Sequence, residues 1–252
     1  MKKIDLAGKT ALVTGGTRGI GLAIAREFLS AGANLIVTGK RPSGERPTLE
    51  ELNSLKSDQM VEYVAVDFAK TEEVERFIHF LSSRKQLEIC VNNAGTNLIK
   101  PIEDINTEDI QRLHNVNLYA PFSILAAVMP IMKTAGWGRI VNIGSLWSKL
   151  SRKGRANYAA SKHGLMGLTV TAALEGALFN VLVNMVSPGF VWTDLSKATL
   201  KPEEKAEIER KIPLGKFALP VDIANPVLFL CSEMNNYITG QNIIVDGGYI
   251  CE

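Results

Sequence analysis

The chain has 252 residues, 46% of them hydrophobic and 21% charged, which suits one domain because α/β folds reach this size without splitting. Its 28 basic and 26 acidic residues leave a net charge of +2, so overall charge makes no case for nucleic acid or a membrane surface as partner. The basic N-terminus lacks the apolar run of a signal peptide, and no stretch approaches about 18 uninterrupted apolar residues. Three cysteines (Cys90, Cys231, Cys251) and three histidines (His79, His114, His163) show no metal-ligand spacing, and a cytoplasmic protein without a metal is expected.

Thr10 to Thr14 is a short apolar run, followed at once by Gly15-Gly-Thr-Arg-Gly19-Ile-Gly21 and a helical segment, Leu22 to Ala31, that stops at Gly32. Strand, glycine turn and helix in that order make a phosphate-binding unit, because glycines allow close backbone approach and a helix N-terminus favours an anion. The spacing is G-x-x-x-G-x-G rather than G-x-G-x-x-G. Asn34 to Thr38 reads as the second strand, after which a dinucleotide fold usually carries an acid for the ribose 2′-hydroxyl. Here stand Gly39, Lys40 and Arg41, with Arg18 in the glycine turn. Cations attract a 2′-phosphate that a carboxylate would repel, so these residues favour NADP over NAD.

A Pro/Gly-bearing loop at 42 to 48 leads into a polar helix with Thr48 as a candidate N-cap, and Val61 to Val66 is a third strand ending at Asp67. Thr71 to Ser83 reads as an amphipathic helix capped by Thr71. Leu87 to Val91 is a fourth strand, ending in Asn92-Asn-Ala-Gly95. Those amides would tie neighbouring strands together or touch an adenosine. Thr107 to Tyr119 reads as a helix carrying Asn117, a residue ordinarily exposed on a helix, and helical character continues to Thr134 despite Pro121 and Pro130. Gly138 to Gly144 is the fifth strand and delivers Ser145.

A long helix at 156 to 179 follows, rich in small residues (Ala159, Ala160, Gly164, Gly167) that suit packing against a partner helix. Val181 to Val186 is the sixth strand, ending in Ser187-Pro-Gly189. The irregular excursion from 190 to 216, with one charged helical piece at Pro202 to Lys211, reads as a lid or substrate loop. Pro220 to Cys231 is the last helix, and Asn242 to Val245 the last strand. Alternation of this kind implies a single doubly wound parallel sheet with helices on both faces, its ligand site outside the C-terminal strand ends. Gly15, Lys40, Asp67, Asn92, Ser145 and Ser187 all follow strands, so the polar residues gather at one rim.

Ser145, Tyr158 and Lys162 carry the chemistry in this reading. Tyr158 and Lys162 lie four residues apart in a helical segment and face the same way. An ammonium beside a phenol favours the phenolate, which would bring a group with an ordinary pKa of about 10 toward neutral pH. Between Ser145 and Tyr158 the stretch Trp147 to Arg155 holds Lys149, Arg152, Lys153 and Arg155 and no acid. It is either a solvated basic loop or a wall for an anionic part of a substrate.

Taken together, these motifs resemble the short-chain dehydrogenase/reductase family over nearly the whole chain: Thr14-Gly-x-x-x-Gly19-x-Gly21, Asn92-Asn-Ala-Gly95, Asn117, Ser145, Tyr158-x-x-x-Lys162, Pro188-Gly189 and Val245-Asp-Gly-Gly248. The resemblance implies a Rossmann-type sheet, a nicotinamide cofactor and a catalytic tetrad of Asn117, Ser145, Tyr158 and Lys162. It implies cofactor contacts at Gly15, Thr17, Arg18, Gly19, Ile20 and Gly21, then at Lys40, Arg41, Asp67 and Phe68. Further contacts would come from Asn93, Ala94 and Gly95, from Pro188, Gly189, Val191 and Thr193, and from Tyr158 and Lys162. Tyr158 would exchange the proton, Ser145 would hold the carbonyl oxygen, Lys162 would lower the Tyr158 pKa, and Asn117 would hold a water linking Lys162 to solvent. The function so implied is NADP-dependent reduction of a ketone to a secondary alcohol, on a 3-oxoacyl thioester or another small carbonyl. A keto-sugar or polyol dehydrogenase is the alternative within the family, and a dinucleotide-binding regulator without turnover the alternative outside it. A homo-oligomer, dimer or tetramer, is also implied.

Overall fold

The strands are nearly continuous apolar runs because each is covered on two faces, as in a sheet fed by parallel crossovers. A computed structural model describes residues 4–41, 47–55, 58–193, 196 and 200–251. Its strands are β1 (Thr10–Val13), β2 (Asn34–Gly39), β3 (Val61–Ala65), β4 (Ile89–Asn92), β5 (Gly138–Ile143), β6 (Val181–Pro188) and β7 (Asn242–Val245). They form one sheet in the order β3-β2-β1-β4-β5-β6-β7, with every pairing parallel. The helices are α1 (Gly19–Ser30), α2 (Pro47–Leu55), α3 (Thr71–Ser82), α4 (Thr107–His114), α5 (Ala120–Ala135), α6 (Ala156–Gly176), α7 (Pro202–Arg210) and α8 (Pro220–Leu230).

Alternate residues of each strand enter opposite cores, as a side-chain period of two requires. Ala11, Val13, Leu35, Val37, Ile89 and Val91 meet Ile24 and Phe28 of α1 and Ile223 and Val227 of α8. Leu12, Ile36, Cys90 and Ile140 meet Phe77 of α3, Ile124, Val128 and Met132 of α5 and Ala172 of α6. Removing a side chain such as Phe28 or Phe77 from water contributes about 1.5–3 kcal/mol. By length and composition the helical run Thr107–Ala135 could cross a bilayer, but half of its apolar window is buried in this second core.

Several boundaries differ from the sequence reading. Helix α1 starts at Gly19, not Leu22, so the glycine turn itself supplies the helix N-terminus. Thr71 is not a cap: Lys70 is the N-cap residue of α3 and no side chain caps it. Instead Glu72 and Glu73 place charge in the first turn, where the helix dipole favours it, and the Lys70 carbonyl accepts from Glu73 and Val74. Helix α2 starts at Pro47, one residue before the expected cap, and the Thr48 side chain lies outside the described residues, as does most of the preceding loop. The expected continuous helix through Asn117 is broken into α4, a π-helical turn at Asn115–Tyr119, and α5. In the 190 to 216 excursion, positions 194, 195 and 197–199 lie outside the described residues.

The chain runs outward from β1 to β2 and β3, then returns to place β4 on the other side of β1. Strand order therefore reverses between β1 and β4, and the crevice at their C-terminal ends is where such a sheet receives a ligand.

Candidate active site

At the first wall of that crevice, the turn after β1 is braced by Thr14. Its Oγ1 accepts hydrogen bonds from the backbone of Asn93 (2.9 Å) and Ala94 (3.0 Å). Gly15 has φ +63° and donates to Thr38 Oγ1 at 3.1 Å. A Cβ on Gly21 would lie 2.3 Å from Asn93 Nδ2 and 2.4 Å from the Gly15 carbonyl, so only glycine fits there. Asn93 donates to the carbonyls of Thr14 (2.9 Å) and Gly15 (3.1 Å), and Asn92 donates to Asn142 (2.8 Å). Of the two uses expected for these amides, the structure shows the tie between strands. Helix α1 opens with no acidic residue in its first turn and no side-chain cap. Thr193 comes over the turn, with its Cγ2 3.6 Å from where a Gly19 Cβ would stand.

Along the rim, Arg18, Lys40 and Arg41 are exposed. Lys40 pairs with Asp67 at 2.9 Å. Burial pushes the Asp67 carboxyl up, but hydrogen bonds from Lys40 and the Ala69 backbone outweigh it and hold the group below the ordinary range. Phe68 sits beside Asp67 in sequence, yet its ring is buried in the second core against Phe77 at 5.8 Å. Ala94 packs against that same core, and Ile20 and Val191 pack against the first. Thr17 is buried in the turn. Pro188 ends β6, and Gly189 donates to Val245 (2.9 Å) with Asp246 too close to admit a Cβ.

A dinucleotide fits this chain's own features: a glycine turn closed to a Cβ at Gly21, an uncapped helix N-terminus that would favour a phosphate, and exposed cations along the same rim.

The second wall brings the tetrad residues together. Ser145 follows β5 and is the N-cap of a short 3₁₀ turn, its Oγ accepting from Trp147 N at 3.3 Å. Tyr158 stands in the first turn of α6, and Lys162 one turn on is only 4% exposed, its Nζ donating to the Ile143 carbonyl at 2.8 Å. Desolvation lowers the Lys162 pKa from 10.5 to about 8. A Cβ on Gly95 would lie 3.7 Å from Asn117 Oδ1 and 3.9 Å from Lys162 Nζ, so β4, the π-helical turn and α6 converge on one spot.

Two expectations are corrected. Asn117 is not an exposed helical residue: it is fully buried in the π-helical turn, bonded to the Thr96 backbone through Oδ1 and Nδ2 (2.9 Å each) and to Ser161 Oγ (3.2 Å). Both amide hydrogens are thus committed, and one lone pair on Oδ1 remains. Nor does Lys162 bring the Tyr158 pKa down in the protein alone. Its ammonium lies 5.8 Å from the ring centroid, and burial raises the phenol, opposed by hydrogen bonding to Ser145 and by the charge of Arg155.

Sequence reasoning missed the support beneath Ser145. Ser148 Oγ donates to the Ser145 carbonyl at 2.6 Å, lies 2.9 Å from Ser187 Oγ, and accepts from Asn242 Nδ2 at 3.0 Å. No spacing rule links residues 148, 187 and 242, which only the pairing of β5, β6 and β7 brings side by side. Among the described residues no group of three His, Cys, Asp or Glu side chains could hold a metal ion.

Residues 15–250 match the family described as Enoyl-(Acyl carrier protein) reductase. The 3-oxoacyl-(acyl-carrier-protein) reductase FabG of Aquifex aeolicus (strain VF5) is 40% identical over 247 residues, covering 98% of this chain and 99% of that protein. Among solved structures, a 3-oxoacyl (acyl-carrier-protein) reductase from Agrobacterium tumefaciens C58 with NADP bound is 30% identical, with a TM-score of 0.90 and coverage of 97% and 95% of the two chains. A gluconate 5-dehydrogenase from Burkholderia cenocepacia J2315, in complex with NADP and tartrate, is 29% identical, with a TM-score of 0.89 and coverage of 98% and 97%. The chain belongs to the short-chain dehydrogenase/reductase family, and with it to the NAD(P)-dependent oxidoreductases that act on CH–OH and C=O groups.

The buried lysine has a measurable consequence for stability. The unfolded chain binds the Lys162 proton more tightly (10.5) than the folded one (about 8), so stability rises with pH across that window. The cost of burying the ammonium is fully present below about pH 8 and gone above about pH 10.5. In urea unfolding of wild type and Lys162→Met from pH 7 to 10.5, the wild type should gain about 3 kcal/mol relative to the variant. A gap that does not move with pH would mean that Lys162 is not buried as described.

Proposed function

We propose that the protein interconverts a ketone and a secondary alcohol with NADP(H), with Ser145, Tyr158 and Lys162 at the reacting carbon and Asn117 behind them. The observation that carries this is the convergence of Gly95, Asn117 and Lys162 beside the Tyr158 ring, at the rim that also holds the glycine turn. When bound, the nicotinamide supplies the hydride to the carbonyl carbon or takes it back. Tyr158, kept protonated by its buried setting, gives its proton to the developing alkoxide. Ser145 donates to that oxygen, its backbone held by Ser148. Lys162 places an ammonium against the same spot and orients the nicotinamide ribose, and the remaining lone pair of Asn117 Oδ1 serves a water on the way to solvent.

For the cofactor, Arg18, Lys40 and Arg41 support NADP over NAD, as do the NADP-bound structural relatives. Arg18, Gly19, Thr193 and the rest of the glycine turn would receive the pyrophosphate; Lys40 and Arg41 the 2′-phosphate; Asp67 and the Phe68 backbone the adenine. For the substrate, a 3-oxoacyl thioester is the first reading, supported by the full-length reductase relatives. A keto-sugar or polyol is the second, favoured by the cations over Trp147 and by the gluconate dehydrogenase. A homo-oligomer in the cytoplasm completes the proposal. It is supported by exposed Phe122, Leu174 and Leu178, by the open space at Gly167, and by three unpaired cysteines.

Tyr158→Phe should lower kcat by about 10²–10⁴-fold in a 340 nm assay while leaving the Kd for NADPH nearly unchanged, because only the proton donor is lost. Retention of more than about a tenth of wild-type kcat would remove Tyr158 from the acid role. Replacing Gly39 with Asp and Lys40 with Ala should shift kcat/KM from NADPH toward NADH, by repelling the 2′-phosphate and freeing an acceptor for a 2′-hydroxyl. A wild type that already prefers NADH would overturn the cofactor assignment.

A further inference from the structure

Four cations lie between Ser145 and Tyr158, and they are not equivalent. Lys149, Arg152 and Lys153 are exposed, whereas Arg155 is half-buried and its Nε is sealed from solvent without a hydrogen-bond partner. No hydrogen bond or ion pair among the described residues engages the guanidinium of either arginine. Instead both lie over the indole of Trp147, 5.4 Å from its centroid for Arg152 and 5.7 Å for Arg155. Like charges on one ring are not a self-sufficient arrangement, and burial and the charge of Arg152 both work against the Arg155 cation.

Among the described residues, Asp109 and Asp246 on adjoining segments are committed elsewhere. Asp109, whose backbone carbonyl accepts from Asn157, pairs with Lys100 at 2.7 Å and closes the cap of α4. Asp246, beside Tyr249, accepts from the backbone of Gly248 (2.9 Å) and Ile250 (3.0 Å). Among the described residues no anion serves this pair of arginines.

Its location says what the anion belongs to. Arg155 is the N-cap residue of α6, three residues before Tyr158, and its charge acts on the Tyr158 phenol. Trp147 stands two residues after Ser145 and packs with Tyr158, Phe190 and Tyr249. An anion between the arginines would lie over Trp147, which packs with Tyr158. The geometry points to a carboxylate subsite, in which Arg155, with Arg152 across Trp147, holds the carboxylate of a small hydroxy or oxo acid while the neighbouring carbon reacts at Ser145 and Tyr158. This rests on the ketone–alcohol reaction proposed above and narrows its substrate to a free acid rather than a carrier-bound acyl chain. A guanidinium fork suits a carboxylate better than a lysine would.

The test compares small 3-oxo acids with their neutral methyl esters, and gluconate with neutral glucitol, in wild type, Arg155→Met and Arg155→Lys. In wild type, kcat/KM should favour the acid of each pair. Arg155→Met should lower the acid-to-neutral ratio about 10- to 100-fold, as loss of a charge-assisted hydrogen bond does, and Arg155→Lys should restore part of it. A wild type indifferent to the carboxylate, or a ratio unchanged in Arg155→Met, overturns the subsite. If the wild type turns over the neutral partners alone, the reaction stands and the subsite falls. If it turns over neither, the reaction as proposed fails on these ketones and alcohols. Calorimetric titration of the acids into NADP-loaded wild type and Arg155→Met then decides the subsite by itself: Arg155-dependent binding upholds it, and its absence overturns it.

Discussion

The ammonium of Lys162 is buried without a carboxylate, held by the carbonyl of Ile143, and the rest of the active site is arranged around that costly choice. A charge in such a setting is tolerated only where hydrogen bonds and packing over-determine its position. Here β5 supplies the acceptor and α6 the lysine. The π-helical turn carries Asn117 toward the same spot, and Gly95 lies beside it, a Cβ there standing 3.7 Å from Asn117 Oδ1 and 3.9 Å from the ammonium. Helix α6 is in turn fixed to the sheet by a buried chain in which Asn92 donates to Asn142, Asn142 to Thr169, and Thr169 to the Leu165 carbonyl. Each link leaves no buried amide or hydroxyl unpaired, which is why polar residues can stand in the middle of an apolar sheet.

The two walls of the crevice use positive charge differently. On the β1 side, backbone N–H groups and exposed cations create a place for phosphate. On the β5 side, a desolvated lysine faces a phenol whose proton is held tightly in the protein alone. The strand order reversal between β1 and β4 sets these walls face to face, so one extended ligand can touch both. Thr14 and Asn93 stitch the turns after β1 and β4 to each other, which fixes the first wall to the central strands.

Much of this was legible in the sequence because strand, turn and helix signals coincide with chemistry. The apolar runs at 10–14, 34–38 and 138–144 are β1, β2 and β5, and Tyr158 and Lys162 lie one turn apart on α6, as their spacing implies. What could not be read has physical reasons. The π-helical turn at Asn115–Tyr119 keeps helical composition and spans only five residues, too few for a shifted repeat to show against the helices on either side, so Asn117 looked like an ordinary helical residue. The α1 start was displaced because glycine is read as a helix breaker, yet at an N-terminus carrying a turn with positive φ it is required. The raised Tyr158 pKa depends on burial, a tertiary quantity, and the Ser148–Ser187–Asn242 support joins residues 94 positions apart.

The central claim is that the folded chain by itself keeps Tyr158 protonated, and that the positive charge needed to loosen its proton arrives with the oxidised cofactor. Ultraviolet difference titration of wild type against Tyr158→Phe, followed at the phenolate band with and without saturating NADP⁺, measures this directly. The free protein should show a midpoint above the ordinary 10.0 of a tyrosine, and NADP⁺ should move it down, because an added positive charge favours the phenolate. A midpoint below 10.0 in the free protein, or one that NADP⁺ leaves in place, would contradict the account.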